Sequence, residues 1–288
     1  MNKIFQKIIN FYFKRKNRFF YLIFYSFFKN FINDKVILSF PNYKFYASTH
    51  KKDLSKWMIR NLSQWDKKNL NIIIKLIKKY NSSFIDCGCN FGAYSIPIAK
   101  KFKKKTIYSI DASDKAINKL KDNIKLNKIK NIKYFNLGIG SKNQINYFDD
   151  NLDRFKNSGS FRFTRKKTKK KVKTFKLDFL FKQKKITLNK YIIVKIDLEG
   201  YDFFALQGMK EILKKSKVII FFEFSKLLIK NHKNFNNEFI KFANKYNLSL
   251  YNLDFEKKEI KELRHLLSKS KKNSETIGDY IITNWKLK

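Results

Sequence analysis

The sequence predicts an α/β fold, a mostly parallel sheet with helices on both faces and an antiparallel edge strand. Two observations carry this. From about residue 81, short apolar runs rich in β-branched and aromatic residues alternate with amphipathic helical stretches. Alternation of that kind buries a parallel sheet between two helical layers. The last two apolar runs, "LSLYNLD" and "DYIITNW", have no clear helix between them, which predicts antiparallel pairing at one edge.

The elements follow in order. Residues 35–47 ("KVILSFPNYKFYA") form a short hairpin, and residues 54–80 carry apolar positions at helical spacing, most regularly from Leu70. "SFIDCG" is a buried strand, "AYSIPIAKKF" a helix and "TIYSID" a strand. "DKAINKLKDNIKLN" is a helix with Ala116, Leu120 and Ile124 on one face. "NIKYFNLGIG" is a strand, and "NQINYFDD" and "RKKTKKKVKTFKLD" are extended segments around a polar loop. "LDFLFK" is a short helix, "YIIVKID" a strand, "YDFFALQGMKEILKK" a helix, "KVIIFFEFS" a strand and "FNNEFIKFANKYN" a helix. Composition and pattern divide the chain into a basic, aromatic extension (1–50), a helical lead-in (51–80) and a main domain (81–288).

Hydrophobic residues make up 43% of the 288, which excludes global disorder. The net charge of +42 has two readings. One is a phosphate-bearing partner, nucleic acid or an anionic membrane. The other is base composition, because Lys, Asn, Ile and Phe all have A/T-rich codons. The preference for Lys over Arg favours the second, since Arg suits bidentate phosphate recognition better. The two cysteines, Cys87 and Cys89, are one residue apart, a poor disulfide spacing, and no second pair completes a zinc site. They read as reduced residues in a packed turn of a cytoplasmic protein.

Within residues 1–34 the longest uncharged run, Phe19 to Phe28, has ten residues, whereas a membrane span needs about 20. Basic residues mixed with Phe and Tyr predict an interfacial helix in peripheral contact with an anionic membrane. A helix or hairpin packed on the core, or an oligomer contact, is the alternative.

Four strands end in acids: Asp86, Asp111, Asp197 with Glu199, and Glu223. In such a sheet the carboxyl ends of the strands form the ligand rim. The first turn reads D-x-G-x-N-x-G through Asp86, Gly88, Asn90 and Gly92, not the G-x-G-x-x-G of dinucleotide sites. A carboxylate there suits a ligand with cationic groups, and the amino-acid end of S-adenosylmethionine fits. The carboxylate of that ligand would take backbone N–H groups at the following helix start. Asp111, 19 positions after Gly92, suits the ribose hydroxyls, with Ala112 beside it. A helix N-cap is the other role for Asp111, although Ser113 is also placed to cap. Gly138, Ile139 and Ser141 offer an apolar contact and backbone amides to adenine.

Asp197 and Glu199 stand two apart at a strand end, with Lys195 on the same alternation to hold them by ion pairing. They are the catalytic candidates. Glu199 has a helix-capping alternative, and Glu223 is placed to line the acceptor pocket or to pair with a lysine. His50, His232 and His265 are scattered, and no cluster has metal-ligand spacing. The run at 165–173 ("RKKTKKKVK") reads as a solvated face or, beside the pocket, as an attractor of anionic acceptors.

Over residues 81–225 the chain resembles the FkbM methyltransferases. The resemblance rests on "FIDCGCNFGAYSIPIA", "YSIDAS", "NIKLN", "VKTFKLDFL" and above all "IIVKIDLEGYDFFALQGMKEIL". It implies a class I methyltransferase (Rossmann-like) fold, S-adenosyl-L-methionine as donor, and O-methylation of a hydroxyl on a sugar, glycan or secondary metabolite. The chain departs from the family pattern at Cys89, usually alanine, at Asp111-Ala112, usually Glu-Pro, and at Asp202, often Glu. None of these removes a charge. The alternative is a nucleic-acid methyltransferase on the same fold. Against it, the chain lacks an Asn-Pro-Pro-Tyr-type strand end and an evident RNA-binding module.

Overall fold

The computed structural model describes residues 7, 11, 35–48, 52–61, 63–151, 158–164, 166–225, 234–260 and 276–287. The proposed membrane-contacting stretch lies outside them except at residues 7 and 11, and all three histidines lie outside them.

Among the described residues, eight strands form the central sheet: β3 (Ser83–Cys87), β4 (Ile107–Asp111), β5 (Ile132–Asn136), β10 (Tyr191–Ile196), β11 (Lys217–Ser225), β12 (Ser249–Tyr251), β13 (Lys257–Lys258) and β14 (Thr276–Thr283). Their order is β13-β12-β14-β11-β10-β3-β4-β5. Strands β11, β10, β3, β4 and β5 run parallel. Among the described residues the antiparallel strands are β14, inserted between β11 and β12, and β13, which pairs with β12 at the rim, so the predicted antiparallel edge is present.

Successive residues of each inner strand face opposite sides. Phe84, Ile193, Ile219 and Phe221 enter one core. Ile85, Val194, Ile220 and Phe222 enter the other. The first core is covered by α1 (Lys56–Asn61), α2 (Lys67–Tyr80), α3 (Ser95–Lys101) and α4 (Asp114–Leu126), the second by α5 (Leu177–Gln183), α6 (Asp202–Gln207), α7 (Lys210–Lys215) and α8 (Phe235–Lys245). Burial on both faces explains why these strands read as continuous apolar runs.

The hairpin β1 (Lys35–Ser39) and β2 (Lys44–Ser48) packs into the first core through Val36, Leu38, Phe45 and Ala47. Asn123 of α4 and Asn127, which caps its C-terminal end, hold it there. Tyr46 N donates to Asn123 Oδ1 at 2.8 Å and Lys44 N to Asn127 Oδ1 at 2.7 Å. Asn123 Nδ2 also donates to the Phe91 carbonyl at 2.9 Å, joining the hairpin, α4 and the first glycine turn.

Three predicted elements are broken in two, each for a local reason. The 54–80 helix divides before Lys67, where Asp66 is left-handed with φ 46°. The predicted helix "YDFFALQGMKEILKK" divides at Gly208, where a Cβ would lie 2.2 Å from the Gly140 carbonyl oxygen. The third strand also ends early, at Asn136, and β6 (Gly138–Ile139) leaves the main sheet. Strand β6 joins β7 (Gln144–Asp149), β8 (Arg162–Thr164) and β9 (Lys171–Phe175) in a separate sheet of order β6-β9-β7-β8.

Candidate active site

The carboxyl ends of β3, β4, β10 and β11 converge on one cleft of about 280 Å³. Its wall includes Gly88, Asn90, Asp111, Lys195, Asp197, Glu199 and Glu223. The strand register sets this up, because Lys195 pairs with Asp86 on one side and Phe221 on the other, so all these ends finish level.

Gly88 is demanded by the turn. Its φ is +84°, and a Cβ would lie 1.9 Å from the Asp197 carbonyl oxygen. Close approach between the first turn and the β10 end therefore depends on the missing side chain. Gly92 (φ +91°) lies off the cleft wall, where a Cβ would meet Leu120 and Ile96.

Asp86 is fully buried beneath the turn and does not reach the cleft wall. Ser95 Oγ donates to its Oδ2 at 2.6 Å, while its Oδ1 has no partner among the described residues. Burial pushes its carboxyl up and nearby Lys195 pulls it down. Its direct role is to anchor the start of α3 and to face Lys195. The amides of Gly88 and Cys89 donate to the Ile110 carbonyl, Gly92 N donates to the Cys89 carbonyl, and Asn90 N to Asp111. Those four N–H groups are already engaged within the protein.

Asp111 is on the cleft wall. Its Oδ2 accepts from Asn90 N at 2.9 Å and its Oδ1 from Ser113 N at 2.8 Å. Burial pushes it up to about 6 against the lowering effect of those two N–H bonds. Ser113 caps α4, accepting from Ala116 N, so Asp111 is not the cap.

Lys195 is 8% exposed. Its Nζ lies 2.7 Å from Asp197 Oδ2 and 4.8 Å from the centre of the Tyr94 ring. Burial pulls its ammonium down, but Asp197 and Asp86 outweigh this and hold it above the ordinary range. Glu199 (φ 52°) lines the cleft in a left-handed turn. The residue that organises this turn is Asp202, which accepts from Leu198 N at 2.9 Å and Gly200 N at 3.0 Å. Burial raises Asp202 to about 7.

The structure does not bring Gly138 and Ile139 to the cleft. Ile139 is in the second core, and Gly138 packs against Phe163 and Thr174. The apolar part of the cleft comes from Ala112, Phe148, Phe161 and Phe163. Phe148 and Phe163 meet edge to face at 5.3 Å. The only signal for them in the sequence is the period-two spacing of Phe161 and Phe163. Cys87 and Cys89 are buried free thiols, pushed up by burial. Among the described residues, no cluster could hold a metal ion, no helix is long and apolar enough to cross a membrane, and no residue of 166–173 lines the cleft. Lys170 of that run pairs with Asp114 and Asp150.

A cationic, adenosine-bearing ligand fits these residues. Asp111 presents a half-buried carboxylate, the phenylalanines an apolar slot, and Asp197, Glu199 and Glu223 an acidic floor. The topology and the acid-lined rim define a class I methyltransferase. The Methyltransferase FkbM domain family matches residues 86–269, well over half the chain. The chain belongs to the FkbM methyltransferase family, and its domain is that of an S-adenosylmethionine-dependent methyltransferase.

Among curated proteins it is similar to the tRNA(Phe) (4-demethylwyosine(37)-C(7)) aminocarboxypropyltransferase of Methanocaldococcus jannaschii, 32% identical over 92 residues. That match covers 31% of this chain and 34% of the relative, so the chain spans about a third of that protein's length. Among solved structures it is similar to M. jannaschii TYW2 in complex with AdoMet (TM-score 0.39, 15% identity, 87% of this chain and 85% of that one). It is also similar to the methyltransferase domain of bacterial CtHen1 (TM-score 0.41, 14% identity, 76% and 98%). At such scores neither structure bears on function.

Proposed function

We propose that the protein transfers a methyl group from S-adenosylmethionine to a hydroxyl of a sugar, glycan or secondary metabolite. The observation that carries this is the meeting of Asp111, Asp197, Glu199 and Glu223 with Lys195 on one cleft beside the Gly88 turn. Bound S-adenosylmethionine supplies an electrophilic methyl on a sulfonium, open to in-line displacement. The protein's share is position and proton handling. Asp111 holds the ribose, and Phe148, Phe161 and Phe163 enclose the base. Lys195 tethers Asp197, and Asp197 and Glu199 stand where an acceptor hydroxyl would release its proton.

The test is incubation of the full chain with methyl-labelled donor and a panel of hydroxylated acceptors, read as a gain of one methyl mass. Methylated sugar or polyol supports the reading. Donor binding without transfer to any hydroxyl compound, together with transfer to RNA, overturns it. The RNA reading has support from the +42 charge and the segment similar to a tRNA-modifying enzyme. It requires RNA binding that weakens steeply with salt.

A further inference from the structure

The cleft adjoins a second cavity of about 510 Å³. Trp65, Tyr94, Lys195, Asp197 and Glu223 line both. Beyond this shared wall the second cavity is lined by Asp66, Asn69, Gln64 and Asp279. In a chain of net charge +42, it gathers the carboxylates of Asp66, Asp197, Glu223 and Asp279. Of the three lysines on its wall, Lys195 is bonded to Asp197, and Lys68 reaches outward to Asp254 at 3.0 Å. Lys67 is the third.

These acids are not an ordinary surface cluster. Glu223 and Asp279 stand directly opposite each other on β11 and β14, an arrangement that costs stability. Asn69 Nδ2 donates to Asp66 and to Asp279, at 2.8 Å each. This fixes the amide's orientation, since a flip would set its oxygen against two carboxylates. Asn69 Oδ1 is then left buried with no partner among the described residues. Gln64 repeats the pattern. Its Nε2 donates to the Trp65 and Ala93 carbonyls, and its Oε1 is buried with no partner among the described residues. Both side chains belong to residues only 4% exposed. Orphaned acceptors beside carboxylates call for a ligand rich in donors and free of negative charge. Trp57 and Trp65, with ring centres 5.0 Å apart, add an apolar flank suited to the C–H face of a ring.

We propose that this second cavity holds the methyl acceptor and selects a polyhydroxylated ring that is neutral or amine-bearing over one carrying a carboxylate or phosphate. The inference rests on the hydroxyl-methylation reading above. It assigns Asn69, which bridges Asp66 and Asp279, as the positioning residue of the acceptor site.

The experiment has two stages on the full chain. Calorimetry with S-adenosylmethionine comes first, and absence of donor binding there sinks the methyltransferase reading itself. With the site filled by S-adenosylhomocysteine, tryptophan fluorescence is then titrated with methyl glucoside, glucosamine, glucuronic acid and glucose 6-phosphate, using Trp57→Phe to assign the signal. The neutral and amino sugars should bind at least tenfold more tightly than the two acids. Asp279→Asn should shrink that ratio at least threefold while donor affinity stays within twofold. Tighter binding of the acids, a ratio unmoved by Asp279→Asn, or no response to neutral and amino sugars in a donor-binding protein each overturn the proposal. Stronger competition by an RNA oligonucleotide than by any sugar overturns it in favour of nucleic acid.

Discussion

Asp111 gives the sharpest test of the donor site. Both its oxygens already accept a backbone N–H, from Asn90 and from Ser113, so its orientation is fixed before any ligand arrives. Each ribose hydroxyl donating to an ionised carboxylate contributes about 1.5–3 kcal/mol. In Asp111→Asn one acceptor becomes a donor, which should remove about 3 kcal/mol, or roughly 150-fold in donor Kd. The same swap turns an N–H₂ against one of the two backbone amides and lowers stability by about 1–2 kcal/mol.

The pH dependence follows with an explicit sign. Burial raises Asp111 to about 6 in the folded chain, above its value in an unfolded one. Its contribution to the stability of the ligand-free protein is therefore full below the unfolded value and lost as pH rises through about 6. Asp202, raised to about 7 by burial, acts in the same direction. Donor affinity runs the other way, weakening as pH falls through 6 because a protonated Asp111 accepts fewer bonds. Calorimetry and thermal melts between about pH 4 and about pH 7.5 separate the two trends. A variant that melts near wild type and binds donor within threefold of it refutes the assignment, as does wild-type affinity that is flat with pH.

Three further outcomes follow from the same geometry. Gly88→Ala places a Cβ against the Asp197 carbonyl oxygen in a left-handed turn; a thermal melt should show about 3 kcal/mol lost, with donor binding abolished. Lys195→Met removes the cation beside the fully buried Asp86, while Asp197 stays partly in solvent, so denaturant unfolding should register a loss of about 2–3 kcal/mol at neutral pH. Phe161→Ala strips one wall of the apolar slot; donor Kd should rise roughly fivefold through lost stacking, about 1 kcal/mol, with the Asp111 pH dependence retained.

Features written in a single short segment could be read before the structure. The strand-end acids and the Gly88 turn belong to this group, because a parallel sheet places every strand end on one rim. Asp86 shows the limit of that reading. Its position was legible, but its side chain turns inward to Ser95 rather than to the cleft. The aromatic slot was hidden because Phe148 and Phe161 lie on either side of a loop and reach Ala112 only through the separate sheet. Gly138 and Ile139 were expected to serve that role, yet the chain changes sheets at Leu137 and carries them to β9. The acceptor-side cluster was equally invisible, since Asn69 and Asp279 are 210 positions apart and meet only because β14 inserts beside β11.

A crystal structure of the full chain with S-adenosylhomocysteine tests the central claim most directly. The ribose should sit within hydrogen-bond distance of Asp111 and the adenine against Phe148, Phe161 and Phe163, with the sulfur facing the wall that Lys195 and Asp197 share with the second cavity. A ligand seated elsewhere, or one whose ribose leaves Asp111 untouched, would contradict the account.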